Sequence, residues 1–369
     1  MTVSFNLVAG GGAGEASHIA VAALGGPPQF ITAMRNGSGN LELIGWIMRD
    51  NTLTRAGTAL AGAVSEVALT IAGQRAVTAV RDGSGRLFLI SWDCSSQLQS
   101  ITKAGDSSAA IPHPGAADLI AITPALTEFG QQIFVTALRN GSGNLELISW
   151  RLESSGNFTR LGDSGSQAGG VDSVAVTSVG SNLVVTAVQT THSILQSHGK
   201  LKLIAWQIFQ GGAKITRIGD ENHLYGEAGE VSEVAIAPTS GDFPGVLTAV
   251  KNGSGNLEVI AWGVARDTGF TRLGDNQTPP NNAGTASHIA ITHAGNLQER
   301  YLTSMRRGSG DLELIAFDFT TGPVKRVGDH GSAQGNDVTE TALAHLADGQ
   351  AIVADRLRNF LNVQLWQLT

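Results

Sequence analysis

The chain has 369 residues, 47 of them glycine, with 15% charged residues and a formal net charge of −7 at pH 7. It contains no basic run, which argues against nucleic acid or an anionic membrane surface as a partner. No apolar stretch reaches the roughly 18 residues needed to span a bilayer, so membrane insertion is not predicted. The single cysteine, Cys94, cannot form an internal disulfide.

The first residues, MTVSFNLVAG, lack a basic segment followed by a long apolar core, so no secretory signal is predicted. We therefore expect a soluble protein that is made in the cytoplasm without a signal peptide. Its later site of action, including release from the cell, is left open.

One phrase recurs along the chain and predicts two β-strands joined by a glycine-rich turn. Its clearest copy is 135–150, VTALRNGSGNLELISW, in which β-branched and alternating apolar residues flank the NGSG turn. Close copies lie at 31–46, 77–92, 247–262 and 302–317, and divergent copies at 185–206 and 352–366. Seven copies indicate a repeat protein with units of about 53 residues.

Two further strands are predicted in each unit. A strand rich in small apolar residues precedes the hairpin, at 17–21, 65–69, 118–122, 172–176, 232–236, 287–291 and 339–343. A strand ending in a TRxGD-like phrase comes before that, at 54–58, 102–106, 159–163, 216–220, 271–275 and 325–329. Four short strands per unit, repeated radially, are typical of a β-propeller.

The two ends of the chain complement one another. Val3–Val8 resembles a fourth strand, whereas the last unit stops at its third strand, Asn362–Leu368. Pairing these two segments would close a ring and leave no open sheet edge. The expected fold is therefore all-β: a closed seven-bladed β-propeller, with four antiparallel strands per blade, that forms a single domain over 1–369.

All six tryptophans fall at one position of the repeat, and Phe317 occupies that position in the sixth unit. We expect these rings to wedge between neighbouring sheets rather than to face solvent. A sugar that stacks on an aromatic ring would have to use the edge of this tryptophan, Phe88, or a loop residue such as Tyr225.

The arginine and glutamate of the hairpin are the strongest candidates for recognition. With Gly37 and Ser38 as a two-residue turn, Arg35 would face Asn40, and Glu42 would be its diagonal neighbour. An arginine and a carboxylate in one cleft can hold vicinal hydroxyls of a sugar, while an aromatic ring takes its apolar face. The alternative is a salt bridge that ties adjacent blades without any ligand.

The candidate ligand-binding residues are Arg35, Asn40, Glu42, Arg81, Arg139, Asn144, Glu146, Lys251, Asn256, Glu258, Arg306 and Glu313, with Trp46, Trp150 and Trp262 as the aromatic surface. Unit two departs from the pattern with Phe88 in place of glutamate. Unit four departs from it with Gln189 and Lys202.

Metal and cofactor chemistry is not predicted. Each Gly-Asp loop offers one carboxylate, too few for calcium, so its aspartate is expected to cap the loop. The nine histidines lack zinc-site spacing, and no catalytic or phosphate-binding motif is present. Five polar residues share the start of the inner strand and could ring the mouth of an axial channel, or simply be solvated: His18, Glu66, Glu233, His288 and Glu340.

The whole unit, TRxGD…AGxxSxIAI…VTAVRNGSGNLELIxW, resembles the seven-bladed β-propeller lectins of the Photorhabdus type, and the resemblance covers the entire chain. It implies a multivalent carbohydrate-binding protein without catalysis, with sugar sites in clefts between blades. It further implies fucose-like or galactose-like ligands, glycans or glycoconjugates as partners, and presentation by a homo-oligomer.

Two other functions are kept open. An enzyme could use the axial channel or the irregular segments 107–116, 190–199 and 221–230, whose polar residues include His113, His192, His198, His223 and Tyr225. A plain protein-interaction scaffold is the third possibility.

Overall fold

The described part of the chain is an all-β fold of 26 strands in antiparallel sheets, with one 3-10 helix at Gln210–Gly212. The computed structural model describes residues 3–25, 28–50, 52–165, 167–191, 199–220, 228–239, 245–265, 269–277, 281–295, 299–320, 322–331, 337–346 and 349–369. The predicted all-β class is confirmed, and the sheet pattern is consistent with a propeller.

Two long strands each serve two consecutive units. The first unit uses the second part of β1 (Phe5–Leu24), β2 (Gln29–Asn36), β3 (Asn40–Arg49) and the first part of β4 (Thr52–Ala72). The second uses the rest of β4, β5 (Arg75–Asp82), β6 (Leu87–Cys94) and β7 (Ile101–Asp106).

The middle units each have four separate strands. Unit three contains β8 (Ala117–Leu126), β9 (Gln132–Asn140), β10 (Leu145–Leu152) and β11 (Phe158–Asp163). Unit four contains β12 (Val171–Ser178), β13 (Leu183–Thr190), β14 (Gly199–Phe209) and β15 (Lys214–Asp220). Unit five contains β16 (Glu230–Pro238), β17 (Gly245–Asn252), β18 (Leu257–Ala265) and β19 (Gly269–Asp275).

The last units repeat the pattern. Unit six contains β20 (Ala286–His293), β21 (Arg300–Arg307), β22 (Leu312–Asp318) and β23 (Lys325–Gly331). Unit seven contains β24 (Val338–His345), β25 (Gln350–Leu357) and β26 (Phe360–Leu368). In units one to six the small-residue strand is innermost, the hairpin follows it, and the TRxGD strand is outermost; unit seven has the first three of these strands.

The predicted pairing of the two chain ends is present. The first part of β1 runs antiparallel to β26, with Phe5 opposite Leu368 and Gly12 opposite Asn362. The N-terminal segment thus supplies the fourth strand of unit seven. This pairing covers the edge that β26 would otherwise leave open.

The hairpin turn differs from the two-residue turn expected from the sequence. The N–H of Gly39 donates to the carbonyl of Asn36 at 2.8 Å, and Gly39 has a φ of +82°. The Cα partner of Arg35 is then Leu41, not Asn40. The additional residue in the turn shifts the register by one, and such a shift moves a side chain to the other face of the sheet.

The apolar core lies between consecutive units. Trp150 of unit three packs with Val77 and Leu89 of unit two, and Trp46 of unit one packs with Val363 of unit seven. Trp150 donates from Nε1 to Thr136 Oγ1 at 3.0 Å, and the same bond joins Trp46, Trp92, Trp206 and Trp262 to their own threonines. The wedge role predicted for the repeated tryptophans is confirmed.

The innermost strands contact one another in unit order. β1 touches β4, β4 touches β8, and the contacts continue through β12, β16, β20 and β24 back to β1. A central cavity is therefore surrounded by inner strands from every unit.

Candidate functional site

The arginine and glutamate of one hairpin do not form the pair expected from the sequence. Arg35 is opposite Leu41, while Glu42 is opposite Met34, so the two side chains leave opposite faces of the hairpin. The same register recurs in units three, five and six. The predicted side-by-side geometry is therefore wrong, whereas a role of these residues in ligand binding stays a prediction.

Each hairpin glutamate instead pairs with an arginine from the outermost strand of its own unit. The closest carboxylate–guanidinium distances are 2.7 Å for Glu42–Arg55, 3.4 Å for Glu146–Arg160, 2.8 Å for Glu258–Arg272 and 3.3 Å for Glu313–Arg326. These arginines belong to the TRxGD phrase, which sequence reasoning treated as a strand marker only.

In three units the same arginine also binds the aspartate of its phrase, and we call each such group a Glu–Arg–Asp cluster. The arginine–aspartate distances are 2.8 Å for Arg160–Asp163, 2.7 Å for Arg272–Asp275 and 2.7 Å for Arg326–Asp329. Unit one has Thr58 at the aspartate position. Two carboxylates thus hold each guanidinium in one orientation.

The aspartates also cap the following loops, as predicted. Asp163 accepts the N–H of Gly165 at 3.0 Å, and Asp275 accepts the N–H of Gln277 at 2.9 Å. In both aspartates one carboxylate oxygen accepts from the loop N–H and the other accepts from the arginine.

The clusters lie at the borders between units. Arg160 of unit three donates to the carbonyl of Pro112, in the loop that arrives from unit two, at 3.3 Å. Arg326 of unit six donates to the carbonyl of Asn282, in the loop from unit five, at 3.2 Å. These arginines are partly or largely enclosed, and only 9% of the Arg160 side chain is exposed.

The turn arginines tie neighbouring units together. Arg35 donates from Nε to the carbonyl of Val64 in the next unit at 3.0 Å. Arg139 binds Asp118 of its own unit and lies 3.5 Å from Asp172 of the following unit. Of the two roles considered for these cations, these contacts favour the inter-unit tie.

The other three turn cations, Arg81, Lys251 and Arg306, behave differently from one another. Arg306 reaches Asp337 of the next unit at 3.2 Å, whereas Arg81 donates to Ser65 Oγ within unit two at 3.1 Å. Lys251 is the Cα partner of Glu233 on the inner strand. The remaining candidates, Asn40, Asn144 and Asn256, are half-buried, and their side-chain amides make no hydrogen bond to a described residue.

The tryptophans proposed as an aromatic surface are buried. Trp46, Trp150 and Trp262 are at most 1% exposed, and each indole N–H is already bonded to a threonine. A sugar cannot stack on a ring that lies between two sheets. This part of the predicted site is wrong, because the position that makes tryptophan a good wedge also removes it from solvent.

Unit two carries a different aromatic surface. A cleft of about 310 Å³ opens beside Phe88, lined also by Asp82, Arg86, Leu87, Ser107, Ser108, His113 and Pro114. A second cleft, of about 170 Å³, lies against the same ring on the side of residues 61–64. The ammonium of Lys103 lies 5.9 Å from the ring centroid, within the range of a cation–π contact.

The polar groups of this cleft are held in place by local bonds. Asp82 accepts the backbone N–H groups of Ser84 at 2.8 Å and of Arg86 at 3.0 Å. Partial burial acts to raise the pKa of Asp82, but these hydrogen bonds, with that of the Ser84 hydroxyl, outweigh it and keep the pKa below its ordinary value. The Arg86 guanidinium donates from Nε to Ser84 Oγ at 2.8 Å.

The inner-strand polar residues line the central cavity, as the sequence suggested. This cavity measures about 420 Å³, and His18, Glu66, Glu233, His288 and Glu340 are all on its wall. Of the residues named for an enzymatic alternative, His113 is in the cleft beside Phe88. His192, His198, His223 and Tyr225 lie outside the described residues.

Among the described residues, no three or more histidine, cysteine, aspartate or glutamate side chains are grouped so that they could hold a metal ion. The same residues include no helix with the length and hydrophobicity required to cross a bilayer.

Comparison with known proteins shows the fold. No protein-family model and no curated protein sequence matches the chain. AofleA from Arthrobotrys oligospora is similar with a TM-score of 0.50 and 12% identity, over 90% of this chain and 91% of that one. A variant of AofleA with three arginines changed to alanine gives a TM-score of 0.51.

Two further solved structures are similar. Sqt1 from Saccharomyces cerevisiae has a TM-score of 0.53 and 15% identity, over 95% of this chain and 83% of Sqt1. A protein from Lactobacillus plantarum has a TM-score of 0.50 and 11% identity, over 89% and 88% of the two chains. At these identities the likeness concerns the fold alone. Together with the sheet pattern, it places the chain among all-β, propeller-like proteins.

Proposed function

We propose that the protein is a closed seven-bladed β-propeller that binds carbohydrates, without catalysis, in clefts between its blades. The ring closure is supported by the β1–β26 pairing and by the cyclic contacts of the inner strands. It is also supported by apolar clusters that join each unit to the next, including the last to the first.

The cleft beside Phe88 is the observation that carries the sugar-binding proposal. An aromatic face, a carboxylate, a guanidinium and an imidazole converge on a space of about 310 Å³, which is within the usual range for small-molecule sites. The ring can take the apolar face of a sugar, while Asp82 accepts from hydroxyl groups and Arg86 donates to them. Because Asp82 and Arg86 are already held by neighbours, little ordering is required on binding.

Multivalency is the second part of the proposal. The Glu–Arg–Asp clusters of units three, five and six, with the Glu42–Arg55 pair of unit one, repeat one polar arrangement at successive borders. The free amides of Asn40, Asn144 and Asn256 lie in the same hairpins. Weak sites repeated around one molecule raise the avidity for a surface that carries many glycans.

The nature of the ligand follows from the resemblance noted in the sequence. Fucose-like or galactose-like sugars are the proposed ligands, and a homo-oligomer is the proposed form in which the sites are presented. The shared fold of AofleA, Sqt1 and the Lactobacillus plantarum protein is compatible with this proposal and does not select a ligand.

The proposal is tested with a glycan array followed by isothermal titration calorimetry of the sugars that bind. We expect more than one sugar per chain, and loss of one class of site in Phe88→Ala and Asp82→Asn variants. Phe129→Ala is the matched control, since Phe129 is also an exposed phenylalanine, at 71%, but is remote in sequence from the cleft. No binding at millimolar sugar, or equal binding by all three variants and the unmodified protein, would overturn it.

A further inference from the structure

The central cavity is a separate space that the proposed sugar sites do not use. It has a volume of about 420 Å³, and each of the seven inner strands contributes two successive residues to its wall. These residues form two layers, a polar layer and an aliphatic layer.

The two layers have different chemistry. The polar layer contains, in unit order, His18, Glu66, Ser173, Glu233, His288 and Glu340, and unit three places the apolar Leu119 at this level. The aliphatic layer contains, in the same order, Ile19, Val67, Ile120, Val174, Val234, Ile289 and Thr341. Around the ring, glutamate and histidine alternate from unit five through unit seven to unit two. One side of the cavity is therefore a continuous arc of hydrogen-bond acceptors above an apolar wall.

A β-bulge places the polar layer. Every inner strand has one extra residue next to this position, as in the shifts between Val64 and Glu66 and between Val338 and Glu340. At His18 and His288 the backbone is left-handed, with φ of +51° and +52°. Bulges redirect side chains, so the same irregularity in each unit turns a ring of side chains toward the axis.

The glutamates differ in how they are satisfied. Glu66 accepts the N–H of Ile120 at 3.1 Å and also hydrogen-bonds to Asp118. Glu233 and Glu340, by contrast, have neither a hydrogen bond nor an ion pair with any described residue. Oxygen Oε2 of Glu340 is moreover excluded from solvent. The residue as a whole is half-buried on the cavity wall, and a ligand that donates to its carboxylate would supply a partner that the chain itself does not.

The cations on the adjacent strands do not satisfy these carboxylates. Arg356 is the Cα partner of Glu340, but its Nη2 donates to Asn359 at 2.7 Å. Lys251 is the Cα partner of Glu233, without an ion pair between them among the described contacts. Arg81, opposite Glu66, donates to Ser65.

The acceptors are also too dispersed to converge on one metal ion, since no metal-binding group exists among the described residues. A ligand that fits must present several N–H donors and cover aliphatic surface. An alkylammonium meets both requirements, because each –NH₃⁺ carries three donors and the carbon chain is apolar. An anion would be repelled by the carboxylates.

We propose that the central cavity binds an aliphatic diammonium ion, with Glu233 and Glu340, on either side of His288, each accepting from one of its ammonium groups and with the valine and isoleucine layer contacting the carbon chain. This site is independent of the sugar clefts and requires none of their residues.

The experiment uses the full chain and titration calorimetry at pH 7 with 1,4-diaminobutane as the probe. 1,4-Butanediol has a similar size and hydroxyl groups but no charge, and succinate has the opposite charge. We expect saturable binding of one diaminobutane per chain and no binding of the other two. Each of Glu233→Gln and Glu340→Gln should weaken binding about tenfold, as loss of one charge-assisted hydrogen bond predicts.

Two controls separate the site from other effects. Glu153→Gln changes a half-buried carboxylate in the loop after β10, which is not part of the cavity wall, and should leave diaminobutane binding unchanged. Circular dichroism and melting temperature establish that the Glu233 and Glu340 variants are folded. Ile289→Ser, which removes apolar surface from the aliphatic layer, is the second variant in case they are not, and it should also weaken binding. Equal binding of butanediol, or unchanged binding in Glu233→Gln and Glu340→Gln, would overturn the proposal.

Discussion

The carboxyl groups of Glu66 and Asp118 are hydrogen-bonded to each other across the border between units two and three. Burial, together with the hydrogen bond from Glu66 to Asp118, raises the pKa of Glu66 to about 8. The same hydrogen bond, with the contact from Arg139, holds the pKa of Asp118 below its ordinary value. At neutral pH Glu66 is therefore the acid that donates and Asp118 is the carboxylate that accepts.

This pair predicts a pH-dependent stability. The folded pKa of Glu66 lies above its ordinary value of 4.5, so the stability it contributes is complete below pH 4.5 and is lost as the pH rises through about 8. Glu66→Gln keeps a donor toward Asp118 and an acceptor toward Ile120 without titrating. We expect the variant to become more stable relative to the unmodified protein as the pH rises from 5 to 9, as measured by urea unfolding.

Asp118→Asn serves as the control for that prediction. It removes the acceptor charge and the ion pair with Arg139, so it should destabilise the fold at pH 7. If the free energies of unfolding of Glu66→Gln and the unmodified protein differ by the same amount at every pH, Glu66 does not have a raised pKa in the folded protein.

Asp355 predicts a second pH effect at the border between units six and seven. It is 1% exposed, and burial raises its pKa to about 7 despite a hydrogen bond from Asn362 at 2.8 Å. The folded pKa is again the higher one, so stability falls as the pH rises from 3.8 through about 7.

Asp355→Asn removes this cost while it keeps an acceptor for Asn362. We expect it to stabilise the protein by a few kcal/mol at pH 8 and by much less at pH 4.5, since each pKa unit corresponds to about 1.4 kcal/mol. Thermal unfolding at the two pH values measures the difference. Asp163→Asn, an exposed aspartate, should show no such gain at pH 8.

The buried tryptophans are expected to contribute to the stability of the fold and not to sugar binding. Trp150→Ala should cost about 3–5 kcal/mol, because it leaves a cavity between units two and three. Trp150→Phe should cost about 1 kcal/mol for the lost bond to Thr136, and unit six already uses Phe317 at this position. Sugar affinity should be unchanged in Trp150→Phe, and a loss of binding with the fold intact would restore the ring as a ligand contact.

The turn arginines predict unequal losses of stability. Arg139 contacts two carboxylates in two units, whereas Arg35 makes one bond to a backbone carbonyl. Arg139→Met should therefore cost about 1–2 kcal/mol and Arg35→Met about half as much, with discounts for partial exposure. Chemical denaturation measures both variants. A stable Arg139→Met protein that no longer binds sugar would favour the ligand-binding role over the inter-unit tie.

The register of the hairpin shows how local chemistry limits prediction. The NGSG phrase correctly predicted a turn, because asparagine and glycine tolerate the required backbone angles. It did not reveal whether the turn has two residues or three. The additional residue shifts the register and so decides which face of the hairpin Glu42 occupies. The expected pairing of Arg35 with Glu42 failed for this reason, and Arg55, thirteen positions further along the chain, took its place.

The cleft beside Phe88 shows a different limit. Phe88 was visible in the sequence as a departure from the repeat, and His113 as part of an irregular segment. Their meeting in one cleft depends on the path of the loop after β7, which carries no repeat pattern. The outer-strand arginines could have been found from the sequence, since each is present in the TRxGD phrase.

The amino-acid sequence by itself determined the repeat, the order of strands in each unit, the pairing of the two ends and the wedge position of tryptophan. These features follow from periodicity and from side-chain size, which are local properties. Only the tertiary structure decided which charges meet, because Glu42 and Arg55, or Arg139 and Asp172, are brought together by register and by the approach of neighbouring units. It also decided that one cavity has polar residues from six of the seven units, since that ring exists only after the inner strands surround the axis.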